Sequence, residues 1–284
     1  MKAAAFDYVK PKALSDALSL LKQGGDDARL IAGGQTLLAT LNMRLSEPSI
    51  LIDITDVEEL KGISVVGDKL RIGALVTHTE IENSDLVAKH APLLRAAAPH
   101  IAHRAIRNLG TWGGSLAYGD PAAEWPACSL ALQATMVIHG PAGERKVSAK
   151  DFFIDLYTTA LEPDEILVAT EIPKASSNQV FYFHELARRH GDYAVAGLAA
   201  VAEKDGNALN NCAFTFFSVS STPVMATAAQ DLLNGKTLNT ELIADAVNAA
   251  RDEIDAIADI TNSAEAKKHL IGVLLERGLK HLVA

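Results

Sequence analysis

The sequence changes texture once, and that change constrains the fold more than any other feature. Before Lys174-Ala175-Ser176-Ser177-Asn178, short apolar runs alternate with helical patterns; after it, three strand-like runs come first and three helical patterns follow. The small, polar stretch interrupts both periodicities, so it marks a boundary after residue 177. A run of strands followed by a run of helices reads as α+β, a meander covered by helices. A chain of 284 residues fits about two domains of common size.

Before the boundary, the pattern over residues 15–22 predicts a helix with Ser15 as N-cap and Gly24-Gly25 as stop. Strands are expected over 28–32 and 50–54 with a helical pattern over 36–44 between them, a βαβ-type beginning. Residues 63–66 and 70–72, joined through Gly67-Asp68, form a predicted hairpin, as do 135–139 and 145–147 around Gly140-Pro141-Ala142-Gly143. A helix is expected over 92–102, and Asp120-Pro121 opens another, running to about Gln133 with Asp120 as N-cap. After the boundary, strands are expected over 180–186, 195–202 and 213–219, and helices over 224–234, 240–257 and 264–280.

Composition removes several function classes. The formal charge is −9 and no dense Lys/Arg block appears, so there is no footprint for nucleic acid or an anionic membrane. Cys128 and Cys212 have no Cys-x-x-Cys companion, which leaves no disulfide framework or zinc site and too few thiols for a four-cysteine iron–sulfur cluster. No apolar run approaches the ~18 residues of a membrane span, and no signal-peptide core is visible at the start. A cytoplasmic location is the default expectation. No Ser/His/Asp or Cys/His constellation for nucleophilic catalysis is written in the sequence.

Two diglycine segments carry the chemistry, Ala32-Gly33-Gly34-Gln35-Thr36 and Thr111-Trp112-Gly113-Gly114-Ser115. Each lies at a predicted element boundary, where successive backbone N–H groups can converge on an anion that a Cβ would keep away. Thr36 or Ser115 adds a hydroxyl, and two such turns can flank a pyrophosphate. Neither fits the Gly-x-Gly-x-x-Gly fingerprint or the loop ending Gly-Lys-Ser/Thr. A diglycine turn also serves as a plain connection, and spacing alone leaves the choice open. Aspartate in place of Gly33 or Gly114 is expected to repel a phosphate while the chain stays folded.

Taken in order, Ala32-Gly33-Gly34-Gln35-Thr36-Leu37-Leu38, Arg107-Asn108-Leu109-Gly110-Thr111-Trp112-Gly113-Gly114-Ser115-Leu116-Ala117, Asp120-Pro121-Ala122-Ala123-Glu124-Trp125-Pro126 and Arg188-Arg189-His190-Gly191-Asp192-Tyr193-Ala194 resemble the FAD-binding medium subunit of molybdenum hydroxylases. The carbon monoxide dehydrogenase branch of that family is the most similar. The resemblance covers nearly the whole chain. It implies a two-part FAD-binding module of the vanillyl-alcohol-oxidase-like (PCMH) type over residues 1–177, with subdomains of about 1–57 and 58–177, then a C-terminal α+β domain over 178–284. It further implies that Ala32, Gly33, Gly34, Gln35 and Thr36, with Thr111, Trp112, Gly113, Gly114 and Ser115, grip the FAD pyrophosphate, and that Leu37 and Ala117 are cofactor-binding residues beside them. Asp120 would bond cofactor hydroxyls, Leu161 and Tyr193 would lie near the isoalloxazine, and His78 would approach the cofactor.

The same resemblance implies partners: a large molybdopterin subunit, and a small iron–sulfur subunit with two [2Fe–2S] clusters, assembled as a dimer of heterotrimers that associates with a membrane only through the complex. The flavin would collect electrons from the clusters and pass them to an external acceptor. Trp112, where isoleucine is usual in the family, and Tyr118-Gly119 depart from its pattern beside the expected flavin site. The spacing of His100, His103, Arg104 and Arg107 predicts one basic helix face, with Arg107 holding the following loop. A stand-alone FAD-dependent oxidase and a cofactor-free scaffold of the same fold remain as alternatives.

Overall fold

The computed structural model describes residues 2–284. The first sheet is parallel, with strands Asp7–Val9, Ile50–Asp53 and Ala28–Ile31 in that spatial order. Helix Leu14–Gly24 buries Ala17 and Leu21, an i,i+4 pair, against Ala28 and Ile52, as helical periodicity requires. The helix begins one residue before the expected Ser15, and its N-cap is Ala13 with no side-chain cap. Gly25, at φ 51°, ends it.

The second sheet has five antiparallel strands, in the order Ile63–Val66, Lys69–Gly73, Ile166–Pro173, Thr135–Gly140 and Gly143–Ser148. Both predicted hairpins are present as its two edges. The central strand, Ile166–Pro173, is absent from the sequence-based expectation. It pairs with partners far away in the chain, so no hairpin signal announces it.

The third sheet is the expected meander, Gln179–Leu186, Ala196–Asp205 and Ala208–Phe217, extended by the short strand Val224–Met225. Ala196, Leu198, Ala200 and Ala202 face helices Thr227–Leu233, Thr240–Glu253 and Ala264–Val283, while Ala199 and Val201 face the core that holds Trp112 and Trp125. The period-two alternation therefore buries both faces, and the central core is continuous from the second sheet to the third.

Three expectations are corrected here. The expected helix over 92–102 is helix Pro92–Ala97 followed by one 3-10 turn, Ala98–His100. Ala102 then takes φ 42° and a separate turn of helix covers Arg104–Arg107, so His100 does not share a helix face with His103, Arg104 and Arg107. The helix expected from Asp120 spans Glu124–Ala131 with Ala123 as N-cap. Asp120 instead closes the turn before it, its Oδ1 accepting from Ala122 N at 2.9 Å.

Candidate cofactor site

Strand Ala28–Ile31 leads into the first glycine segment, and helix Leu37–Asn42 leaves it. Among the described residues, the backbone N–H groups of Gly33, Gly34, Gln35, Thr36 and Leu37 make no hydrogen bond within the chain. These amides belong to a loop and a helix start that are only half-buried, where water can serve them and an anion can take the water's place. Gly34 stands at φ 69°, a left-handed conformation that favours glycine. Gln35 Nε2 donates to Gly33 O at 2.8 Å, so this side chain locks the loop on itself.

The second glycine segment is built differently: the expected turn is the start of a helix. Thr111 is the N-cap of helix Trp112–Tyr118, and Gly113-Gly114 lies in its first turn. Its amides are already satisfied: Trp112 N donates to Val76 O and Gly113 N to Ala74 O, both at 2.8 Å, Gly114 N to Thr111 Oγ1 and Ser115 N to Thr111 O, both at 3.1 Å. A Cβ on Gly113 would lie 2.4 Å from Ala74 Cβ, so this glycine lets the helix dock on the second sheet. Gly114 is exposed, and a Cβ there would meet only Thr111 Oγ1, at 2.7 Å. The surface offered to a ligand here is the bare Gly114 backbone, together with the Ser115 hydroxyl, which has no partner among the described residues.

The two segments touch. A Cβ on Gly33 would sit 2.0 Å from Leu109 O and 2.9 Å from Gly110 Cα. Gly33 is thus required by the chain's own packing, and the expectation that aspartate there would leave the fold intact is corrected. Arg107 braces the same corner, donating through Nε to Glu82 Oε2 at 3.0 Å and through Nη1 to Ile101 O at 3.1 Å.

His78 begins helix His78–Asn83, whose capping box joins Thr77 and Glu80. Its backbone N donates to Gly110 O at 3.0 Å. Its ring is buried, and Trp125 Nε1 donates to Nδ1 at 2.9 Å. Burial, with Arg107 adding to it, pushes the imidazole pKa down to about 4, so His78 is neutral at physiological pH. The Trp112 indole points into the core, where it meets Trp125 at 5.2 Å between ring centroids and donates to Thr170 Oγ1 at 2.9 Å. That placement removes it from the site and answers the family departure at this position: only the Trp112 backbone lies along the segment.

At the far end of helix Trp112–Tyr118, a cavity of about 680 Å³ opens between the loops around Asp120, Tyr157, Tyr193, Ser220 and Ile257. Asp120 is buried, which raises its pKa, and the Tyr193 hydroxyl beside it works against that rise. The rest of Tyr193 is exposed, its phenol pKa raised by burial of the hydroxyl end and by Asp120. Tyr118 packs its ring on Tyr157 at 5.1 Å, so this second family departure borders the cavity. Leu161 and Ala117 are half-buried against the central core, and neither lines the cavity. Tyr157 was missed from the sequence; its turn between two strand fragments, Phe153–Asp155 and Thr158–Thr159, carries no motif.

Behind Asp120 lie two further acids. Glu124 opens helix Glu124–Ala131, and burial, then the nearby Glu185 carboxylate, raises its pKa to about 8. Glu185 Oε2 is enclosed without a hydrogen-bond partner, and its Oε1 lies 3.7 Å from His100 Nδ1.

Sequence profiles of two families match the chain: "FAD binding domain in molybdopterin dehydrogenase" over residues 4–175 and "CO dehydrogenase flavoprotein C-terminal domain" over residues 181–282. Subunit alpha of the 6-hydroxypseudooxynicotine dehydrogenase complex of Paenarthrobacter nicotinovorans is 38% identical, over 98% of this chain and 95% of that one. Among solved structures, carbon monoxide dehydrogenase from Hydrogenophaga pseudoflava aligns with a TM-score of 0.96 at 36% identity, covering 99% of this chain and 98% of that one. Quinoline 2-oxidoreductase from Pseudomonas putida 86 aligns at 0.94 and 38% identity, covering 100% of both chains. Profiles matching both parts of the fold, and relatives matched along their whole length, lead to one conclusion: the chain belongs to the family of FAD-binding medium subunits of molybdenum hydroxylases, flavoprotein components of oxidoreductase complexes.

Proposed function

We propose that this chain is the electron-transfer subunit of a heteromeric molybdenum hydroxylase, taking electrons from the [2Fe–2S] clusters of a small partner subunit and passing them through FAD to an external acceptor. A large partner with molybdopterin carries out substrate hydroxylation, and the assembly is a dimer of heterotrimers. Residues 1–177 form the FAD-binding domain, with subdomains of about 1–57 and 58–177, and residues 178–284 the C-terminal domain. The five unpaired amides of residues 33–37 carry the FAD reading, because they supply donors that the chain itself leaves unused.

FAD, when bound, supplies the redox chemistry, exchanging electrons singly or in pairs. The chain binds and orients it. Gly33, Gly34, Gln35, Thr36 and Leu37 present backbone donors to the pyrophosphate, with Ala32 leading the strand into them. Thr111, Gly114 and Ser115 border the opposite side, while Trp112, Gly113 and Ala117 hold that helix against the core. Asp120 accepts from cofactor hydroxyls, Tyr193 covers the ring, and Leu161 adds an apolar contact to it. On this reading substrate chemistry resides in the partner. The relatives' diverse substrates, a nicotine derivative, carbon monoxide and quinoline by their names, accord with that division.

The test is reconstitution. The purified FAD-free chain should regain a flavin absorption band on titration with FAD, and the complex assembled with FAD-free chain should lose turnover with its physiological acceptor. Normal turnover of a fully FAD-free complex refutes the electron-transfer role.

A further inference from the structure

Ser218 follows the last residue of strand Ala208–Phe217 and stands at φ 63°. A left-handed backbone is unfavourable for a residue that carries a Cβ, and it persists only where the surroundings hold it. At Ser218 they do, because each of its polar groups bonds a different part of the chain. Its N–H donates to Pro121 O at 2.8 Å, its hydroxyl donates to Ala194 O, and its carbonyl accepts from Lys267 Nζ at 2.8 Å.

Pro121 and Ala194 directly follow Asp120 and Tyr193, two residues that line the cavity and whose side chains lie beside each other. One serine thus grips the chain just after both, and the bond to Pro121 crosses from the C-terminal part of the fold to the part before it. The third partner, Lys267, is only 5% exposed and sits in the first turn of helix Ala264–Val283. Its ammonium also lies 2.9 Å from Asp259 Oδ2, so the buried charge is paired, as burial demands. Asp259 Oδ1 accepts from Thr261 N at 2.7 Å and Asn262 N at 2.8 Å, and Ile257 N donates to Val219 O at 2.8 Å. The segment between the last two helices is therefore tied to the end of the same strand, and it forms another wall of the cavity.

We propose that Ser218 is a positioning residue that holds Asp120 and Tyr193 in place across the cavity, and that Lys267 anchors Ser218 to the C-terminal helix. The consequence for the cofactor rests on the FAD reading above: with Tyr193 over the ring, this link sets the surroundings of the flavin while the pyrophosphate is held elsewhere, by residues 33–37.

The five tyrosines are labelled with carbon-13 at Cζ in the full-length chain without FAD, and the Tyr193 signal is assigned by its loss in Tyr193→Phe. Ser218→Gly deletes the hydroxyl yet suits the left-handed backbone, so the Tyr193 signal should shift while the urea midpoint holds; a merely structural serine would move the two together. Lys267→Met removes the ammonium, keeps the apolar stem, and should shift the same signal. In the FAD-loaded complex, tyrosine against the ring quenches flavin emission. Ser218→Gly should raise that emission where Tyr193 is present and add nothing in Tyr193→Phe, the non-additivity of residues that act together. A Tyr193 signal unmoved in Ser218→Gly and in Lys267→Met overturns the proposal, and either variant decides if the other does not fold. Equal emission from the wild-type and Tyr193→Phe complexes overturns only the FAD reading of Tyr193, because the carbon-13 shift is read without FAD.

Discussion

Gly114→Asp isolates the anion site from the fold. Gly114 is the third residue of helix Trp112–Tyr118 and is exposed, and a Cβ there meets only Thr111 Oγ1, at 2.7 Å. Displacing that hydroxyl costs the N-cap, about 1 kcal/mol, and a carboxylate in the first helical turn returns about 0.3–1 kcal/mol through the helix dipole, so the urea midpoint should barely move. Against a bound pyrophosphate the same carboxylate is repelled. A phosphate charge about 5 Å away costs about 3 kcal/mol at an effective dielectric constant of about 20, which is at least about 100-fold in Kd. Gly114→Ala is the steric control: it adds the Cβ without the charge, so the further loss in Gly114→Asp measures the repulsion. The assay is flavin fluorescence of the FAD-free chain titrated with FAD, with urea denaturation in parallel and salt varied to screen the repulsion. A Gly114→Asp chain that binds FAD as wild type does would show that no phosphate lies against this face.

Three further perturbations have expected outcomes. Gly33→Ala puts a Cβ 2.0 Å from Leu109 O, so it should destabilise the chain by about 1–3 kcal/mol or more, seen as a lower urea midpoint in the absence of FAD; an unchanged midpoint would mean the two segments separate freely. Thr170→Val removes the acceptor of the buried Trp112 indole and should cost about 1–3 kcal/mol, with an unaltered melting curve as the contrary result. Glu124 has a folded pKa of about 8 against an ordinary 4.5, so the folded state holds a proton the unfolded chain releases, and stability falls as pH rises through that window and levels off above it. Glu124→Gln should therefore match wild type at about pH 4 and melt higher at about pH 8.5; parallel melting curves across that range would place the Glu124 carboxyl in solvent.

Local pattern identified the elements whose partners are close in sequence. Both hairpins and the C-terminal meander were legible because turn residues and period-two alternation announce them. Ile166–Pro173 was not, since a central strand is defined by distant neighbours. The capping box at Thr77 and Glu80 is a signal the sequence does contain, Thr-x-x-Glu ahead of Ile81, and helix His78–Asn83 went unpredicted beside it. Asp120 showed the opposite failure: Asp-Pro is a sound helix-start signal, yet the chain uses it for a turn and delays the helix to Glu124.

By itself the sequence determined an acidic α+β chain in two parts, without the cysteines for an iron–sulfur cluster, and its ordered motifs carried the flavin-subunit resemblance. Tertiary structure alone decided what each glycine does. Gly33 and Gly113 make room for neighbouring backbone and side chain, Gly34 takes a left-handed conformation, and Gly114 is left open. It also decided which amides remain free, residues 33–37 and not 112–115. The reason is physical: a glycine pair records only that a Cβ is unwelcome, whereas its cause, a ligand or the chain itself, depends on which groups distant in sequence are packed against it.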